Sequence, residues 1–166
     1  MTTRRLVLVR HAKAAGGEVD RERPLAGRGR AEAPLIGRWL AERQIVPDRV
    51  VVSPARRARQ TWELAGTGLD GAPEPMADER VYDNTVEDLL EVVRDTPDAV
   101  STLAIVGHNP GIQDLAVTLD DGRGDDDARQ ELAGKFRTSG VAVFAVKDPW
   151  AETRAGTLVA FAAPRG

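Results

Sequence analysis

Three short apolar runs punctuate the first two thirds of the chain, and each ends abruptly on polar residues. Leu6-Val7-Leu8-Val9 stops at Arg10-His11, Val50-Val51-Val52 at Ser53-Pro54, and Leu103-Ala104-Ile105-Val106 at Gly107-His108-Asn109-Pro110. Runs of strand formers without polar alternation predict strands covered on both faces, as in a parallel sheet packed under helices. Between them the apolar period lengthens. Leu35, Ile36, Trp39 and Leu40 predict a helix over residues 28–44, beginning near Ala33 or kinking there because Pro34 lacks a backbone donor. Residues 54–64 predict a second helix with Pro54 in its first turn, 86–93 a third capped by Thr85, and 109–119 a fourth. Residues 141–146 and 157–161 form two further strand-like runs joined by a polar connection with Pro149 and Gly156, which predicts an antiparallel pair at the end of the sheet. The Asp- and Gly-rich stretch 120–127 is expected to be a solvated loop. The expected fold is therefore α/β: a three-layer domain over residues 1–166, with a mostly parallel central sheet, helices on both faces and an antiparallel C-terminal strand pair.

Composition narrows the chemistry rather than the fold. A chain of 166 residues, 42% apolar, suits one domain with a real core. It has no cysteine, which excludes disulfides, thiolate metal sites and a cysteine nucleophile, and only two histidines, which excludes a three-histidine metal site. A net charge of −3 argues against bulk nucleic-acid binding, because that affinity rests on excess Lys and Arg. No apolar run approaches the roughly 20 residues needed to span a bilayer, and the N-terminus does not read as a signal peptide, so a cytoplasmic protein without a membrane role is expected. Of 23 cations only Lys13, Lys135 and Lys147 are lysines. A single arginine is therefore weak evidence of a site.

In alternating strand and helix folds, ligands bind beyond the carboxyl ends of the parallel strands. All three strand ends here carry groups suited to an anion: Arg10-His11, Ser53-Pro54-Ala55-Arg56-Arg57 and His108-Asn109. If the strands are neighbours, both histidines fall in one pocket. Either histidine alone is more simply a hydrogen-bonded or surface residue. Three such ends coinciding is harder to ascribe to chance.

Leu8-Val9-Arg10-His11-Ala12-Lys13-Ala14, Ser53-Pro54-Ala55-Arg56-Arg57-Ala58-Arg59-Gln60-Thr61 and Val106-Gly107-His108-Asn109-Pro110 resemble the signature segments of the histidine phosphatase superfamily, which includes the cofactor-dependent phosphoglycerate mutases. The Arg-His-Ala-Lys opening, Arg23-Pro24-Leu25 and the small size resemble its SixA-type phosphohistidine phosphatases. Lys135-Phe136-Arg137-Thr138 is a weaker match. The resemblance implies a metal-independent phosphatase without cofactor, in which His11 is the nucleophile and forms a transient phosphohistidine. It implies that Arg10 and Arg57 clamp the phosphoryl oxygens and that His108, as cation or donor, completes the anion pocket. Ser53 and Asn109 are candidate substrate contacts or, equally, caps of the helices that follow. Lys13 is a candidate contact for an acidic partner or a solvated loop residue. Glu79 is the best-aligned candidate for a general acid, the alternative being an exposed acidic turn.

The implied substrate is a phosphorylated protein such as a histidine phosphotransfer domain, with a small phosphate ester as the alternative and a non-catalytic phosphate-binding module as a third reading. A monomer suffices for any of them. Gly66-Thr67-Gly68-Leu69-Asp70-Gly71 follows a helix and leads to prolines, so it is expected to be a loop rather than a dinucleotide site. The aspartates at 120–127 lack the ligand spacing of a calcium loop, and no metal is assigned.

Overall fold

The structure, a computed structural model, describes residues 3–164. Its strands are β1 (Arg4–Arg10), β2 (Arg49–Val52), β3 (Met76–Ala77), β4 (Thr102–Gly107), β5 (Val141–Val146) and β6 (Thr157–Ala162). They form one six-stranded sheet in the order β3-β2-β4-β1-β5-β6. β1 pairs in parallel with β4, and β2 with both β4 and β3, while β5 runs antiparallel to β1 and β6. The parallel sheet and the antiparallel C-terminal pair match the expectation.

Side-chain alternation along the strands builds both outer layers. Leu6 and Leu8 of β1 join Leu103 and Ile105 of β4 on one face, whereas Val7 and Val9 join Ala104 and Val106 on the other. The first face is covered by α3 (Val86–Arg94), α4 (Gly111–Leu119) and α5 (Asp126–Gly134), with Leu89, Ile112, Leu115 and Leu132 packed inward. The second is covered by α1 (Gly27–Glu42) and α2 (Arg56–Gly66), through Ile36, Leu40, Ala58 and Trp62. A Cβ on Gly37 would lie 1.9 Å from the Ala65 carbonyl oxygen, so this close crossing of α1 and α2 requires glycine.

Several boundaries differ from those expected. α1 runs unbroken through Pro34, since its buried stripe of Ala33, Ile36, Gly37 and Leu40 outweighs one missing hydrogen bond. α2 begins at Arg56 rather than Pro54 because the Ser53 hydroxyl accepts the Ala55 N–H and holds residues 53–55 as a turn. α4 begins at Gly111 rather than Asn109, whose side-chain oxygen instead accepts the Gln113 N–H. α3 starts where expected, with Thr85 and Asp88 forming a reciprocal capping box.

The stretch 120–127 is a loop only as far as Asp125. That side chain accepts the Ala128 N–H and starts α5. The signal was present in the sequence, as an aspartate cap, two further acids in the first turn and Ala128 and Leu132 one turn apart. β3 carried no such signal, being two exposed residues on the sheet edge. Residues 66–71 lead out of α2 through turns, as expected of a loop.

Candidate active site

The sheet order places β1 between β4 and β5, with β2 beyond β4, so the polar ends of β1, β2 and β4 are neighbours. Backbone hydrogen bonds continue past the strands and fix those ends to one another. The His11 N–H donates to Gly107 O, and the Ser53 N–H donates to Val106 O, both at 3.0 Å. Both histidines consequently meet, with ring centroids 5.0 Å apart.

Their surroundings differ. His11 Nδ1 lies 2.7 Å from the Ala12 carbonyl oxygen. A carbonyl can only accept, so Nδ1 carries the proton and Nε2 keeps the lone pair. Nε2 is not among the enclosed, unpartnered atoms. Burial, reinforced by Arg57 and Arg10, pushes the His11 pKa down to about 4, despite the opposing hydrogen bond to Ala12. The ring is a neutral base at ordinary pH.

His108 places Nε2 2.7 Å from Ser53 Oγ, while its Nδ1 is enclosed without a partner among the described residues. Burial, then His11 and Arg57, push its pKa down to about 3. Of the two roles expected for it, cation or donor, the lowered pKa disfavours the cation. Neither of its nitrogens presents an accessible lone pair.

Arg10 and Arg57 both bear on the pair electrostatically and line separate cavities. Arg10 donates from NH1 to Phe136 O at 2.9 Å, and burial lowers its pKa. Asn109 Nδ2 donates to the same carbonyl at 3.0 Å. The Ser139 N–H reaches the Arg10 and His11 carbonyls. The segment Lys135-Phe136-Arg137-Thr138 is thus fastened to the end of β1.

Arg57 is 7% exposed and donates to Asp20 twice, from NH1 to the backbone oxygen at 2.8 Å and from NH2 to Oδ2 at 3.1 Å. Arg23 donates to the other Asp20 oxygen, and the Tyr82 hydroxyl donates to Oδ2. The Tyr82 hydrogen bond, then Arg57 and Arg23, hold the Asp20 carboxyl well below the usual carboxylate range. Asp20, Arg57, Tyr82, Asp83, His108 and Asn109 line one cavity of about 390 Å³. Tyr82 stands edge-on to His108 with centroids 5.7 Å apart.

Sequence reasoning missed Asp20 and Tyr82. Asp20 lies three residues before Arg23 in a polar loop, where one more acid carries no pattern.

Two residues of the second segment prove to be fasteners. The Thr61 hydroxyl accepts the Ala12 N–H and donates to Arg57 O, and Gln60 Oε1 accepts the Leu25 N–H. Together they attach the loop after His11 to α2.

The remaining candidates are dispersed. Ser53 both bonds His108 and holds the turn before α2, while Asn109 both caps α4 and binds Phe136, so each combines the two uses considered for it. Lys13 is exposed and lines a separate cleft with Arg10, Arg28, Lys135, Arg137 and Thr138. Glu79 is engaged through both oxygens by Arg21, at 2.9 and 2.7 Å. That bond keeps its carboxyl below its ordinary pKa, whereas a general acid must be protonated at working pH. Among the described residues no cluster of three or more His, Asp or Glu could hold a metal ion, and no helix is long and apolar enough to cross a membrane.

The sequence pattern of the histidine phosphatase superfamily (branch 1) matches residues 6–108. An uncharacterised Mycobacterium tuberculosis protein is 44% identical over 162 residues, spanning 95% of this chain and 100% of its own length. A solved structure from Nakamurella multipartitia, provisionally named phosphohistidine phosphatase SixA, is 29% identical with a TM-score of 0.86, covering 99% of this chain and 98% of that one. The protein histidine phosphatase SixA, solved in complex with tungstate, is 25% identical with a TM-score of 0.81 over 96% of this chain and 97% of its own.

Proposed function

The chain belongs to the histidine phosphatase superfamily, branch 1, and is a phosphatase by fold and family; we propose that its substrate is phosphohistidine on a protein. The Nε2 lone pair of His11 attacks phosphorus, and the P–N bond to the substrate imidazole breaks with its electron pair leaving on that nitrogen, which takes up a proton from solvent. Water then attacks the phosphorus of phospho-His11 and gives up a proton to solvent. The P–Nε2 bond breaks, orthophosphate leaves, and His11 regains its lone pair. The sum is phosphohistidine plus water giving histidine plus phosphate.

Arg10 and Arg57 stabilise the charge on the transferring group, and His108, a neutral ring tethered to Ser53, lines the pocket beside it. Asp20 yields its hold on Arg57 as phosphoryl oxygens take its place. Tungstate is a tetrahedral oxyanion, and its presence in SixA supports such a pocket. No metal or cofactor enters this scheme.

One observation carries the choice of substrate: Asp20, in the cavity, is held ionised by Tyr82, Arg57 and Arg23, and Glu79, outside it, by Arg21. An alkoxide leaving group needs a proton donor, whereas a phosphorylated imidazole is a better leaving group and needs less help. One observation favours the ester reading, namely that Asp83 lines the same cavity as His108. Rates on a phosphohistidine protein and on a panel of sugar and nucleotide monophosphates separate the two. The phosphohistidine reading expects the protein substrate to lead by at least tenfold in kcat/KM, with Asp83→Asn nearly neutral on it. Faster turnover of an ester, lost in Asp83→Asn, supports the alternative.

A further inference from the structure

The two sides of the site differ in charge, one mixing carboxylates with Arg57 and the other carrying cations alone. On one side, Asp20 and Asp83 line the cavity that holds His108. On the other, a cleft of about 420 Å³ is lined by Arg10, Lys13, Arg28, Lys135, Arg137 and Thr138, with no carboxylate among them. Two of the chain's three lysines are in this cleft. Elsewhere several arginines are paired with carboxylates, as in Arg21 with Glu79, Arg80 with Asp78 and Arg129 with Asp120. Lys13, Lys135 and Arg137 form no ion pair among the described residues, and Arg28 has only a 3.4 Å contact with Glu32.

The cations are loosely held at their tips and firmly held at their bases. Lys13 O accepts the Ala26 N–H at 2.9 Å, and a Cβ on Gly29 would lie 2.1 Å from the same oxygen, so the backbone there is packed directly on α1. Lys135 and Arg137 alternate with Phe136, whose ring is fully buried and whose carbonyl receives Arg10 and Asn109. The two cations therefore project outward from a segment anchored to the catalytic arginine itself.

We infer that this cleft is a docking surface for the acidic face of the protein that presents the phosphohistidine, with Arg10 joining it to the phosphoryl pocket. The inference rests on the phosphohistidine reading and adds what surrounds that group on the partner. Lys13, Arg28, Lys135 and Arg137 are all exposed, with flexible side chains. A subsite for a small dianion places convergent, fixed donors around the ligand. Exposed, unpaired cations around an open cleft suit a broad acidic surface, steering encounter and setting orientation at long range. Such attraction is screened by salt, with a Debye length of about 8 Å at 0.15 M.

The test uses the full chain and phosphohistidine peptides whose flanks are acidic, neutral or basic, with phosphoramidate as a substrate that has no flanks. The parent is expected to favour acidic over basic flanks by about tenfold or more in kcat/KM at low salt, with the preference collapsing at high salt. Lys135→Glu combined with Arg137→Glu is expected to flatten or invert that order while leaving phosphoramidate hydrolysis within about twofold, which also shows that the variant is folded. Equal rates on all flanks overturn the docking surface and leave the phosphohistidine reading standing. Hydrolysis of phosphoramidate but of no peptide overturns both, and is told apart by the missing peptide rates. A preference for a bisphosphorylated sugar over its monophosphate, lost in the double variant, overturns the docking surface in favour of a small-molecule subsite.

Discussion

The ends of β1 and β4 place the same residue type on the same sheet edge, 5.0 Å apart ring to ring, yet they prepare it for different work. At the end of β1, a backbone carbonyl fixes the His11 proton on Nδ1 and leaves a lone pair on Nε2. At the end of β4, a serine from β2 engages His108 Nε2 and the surrounding chain encloses Nδ1. Burial and nearby guanidiniums keep both rings neutral, so charge does not distinguish them. The hydrogen-bond partner does. A histidine's role in a two-histidine site is set by which of its nitrogens is left free, a detail of the second residue rather than of the ring.

The sharpest way to break this contrast is to delete each ring in turn. His11→Ala is expected to abolish turnover, by ~10⁴-fold or more, the scale of losing a nucleophile. His108→Gln keeps a hydrogen-bonding partner for Ser53 without the ring and is expected to cost about a hundredfold in kcat, with His11 still phosphorylated. Equal losses in the two single-turnover rates would erase the distinction.

Ser53→Ala removes the partner that engages His108 and is expected to cost about fivefold, the worth of one hydrogen bond of about 1 kcal/mol. The same substitution should leave the rate of His11 phosphorylation less affected than His108→Gln does.

The smallest effect is read from pH. The His11 pKa lies at about 4 rather than 6.5, so the free enzyme keeps this ring neutral through most of that interval. The acid limb of kcat/KM, corrected for substrate titration, should therefore appear near pH 4. Stability follows the same sign. Burying neutral histidines carries no penalty above about 6.5 and a growing one as pH falls toward about 4 for His11 and about 3 for His108, because the unfolded chain binds the proton first. Denaturant midpoints measured across pH 7 to 4 should fall, and those of His11→Ala should fall less.

Much of this was legible before any coordinates. The apolar runs located β1, β2, β4, β5 and β6, and their abrupt polar ends located Arg10, His11, the segment from Ser53 to Arg57 and His108, because a buried strand can shed its polar groups only where it emerges, while the family resemblance singled out Arg57. β3 was invisible because two exposed residues carry no period. α5 was readable from its Asp125 cap but hidden among aspartates that also suit a loop.

Asp20 and Tyr82 were beyond sequence reasoning for another reason. Their significance lies in contacts across 37 and 62 residues of chain, and nothing local marks them. Gln60 and Thr61 were seen as part of a motif, but only the hydrogen bonds to Leu25 and Ala12 reveal that they hold the loop after His11 in place. Glu79 shows the converse. Its position along the chain suggested an acid, and its arginine partner gives it the opposite protonation tendency.

The most direct measurement is to trap the phosphorylated enzyme during turnover and locate the phosphoryl group. The account predicts an acid-labile, alkali-stable adduct on His11 that forms in the parent and in His108→Gln and is absent from His11→Ala. An adduct on His108, or hydrolysis by His11→Ala at the parent rate, would contradict it.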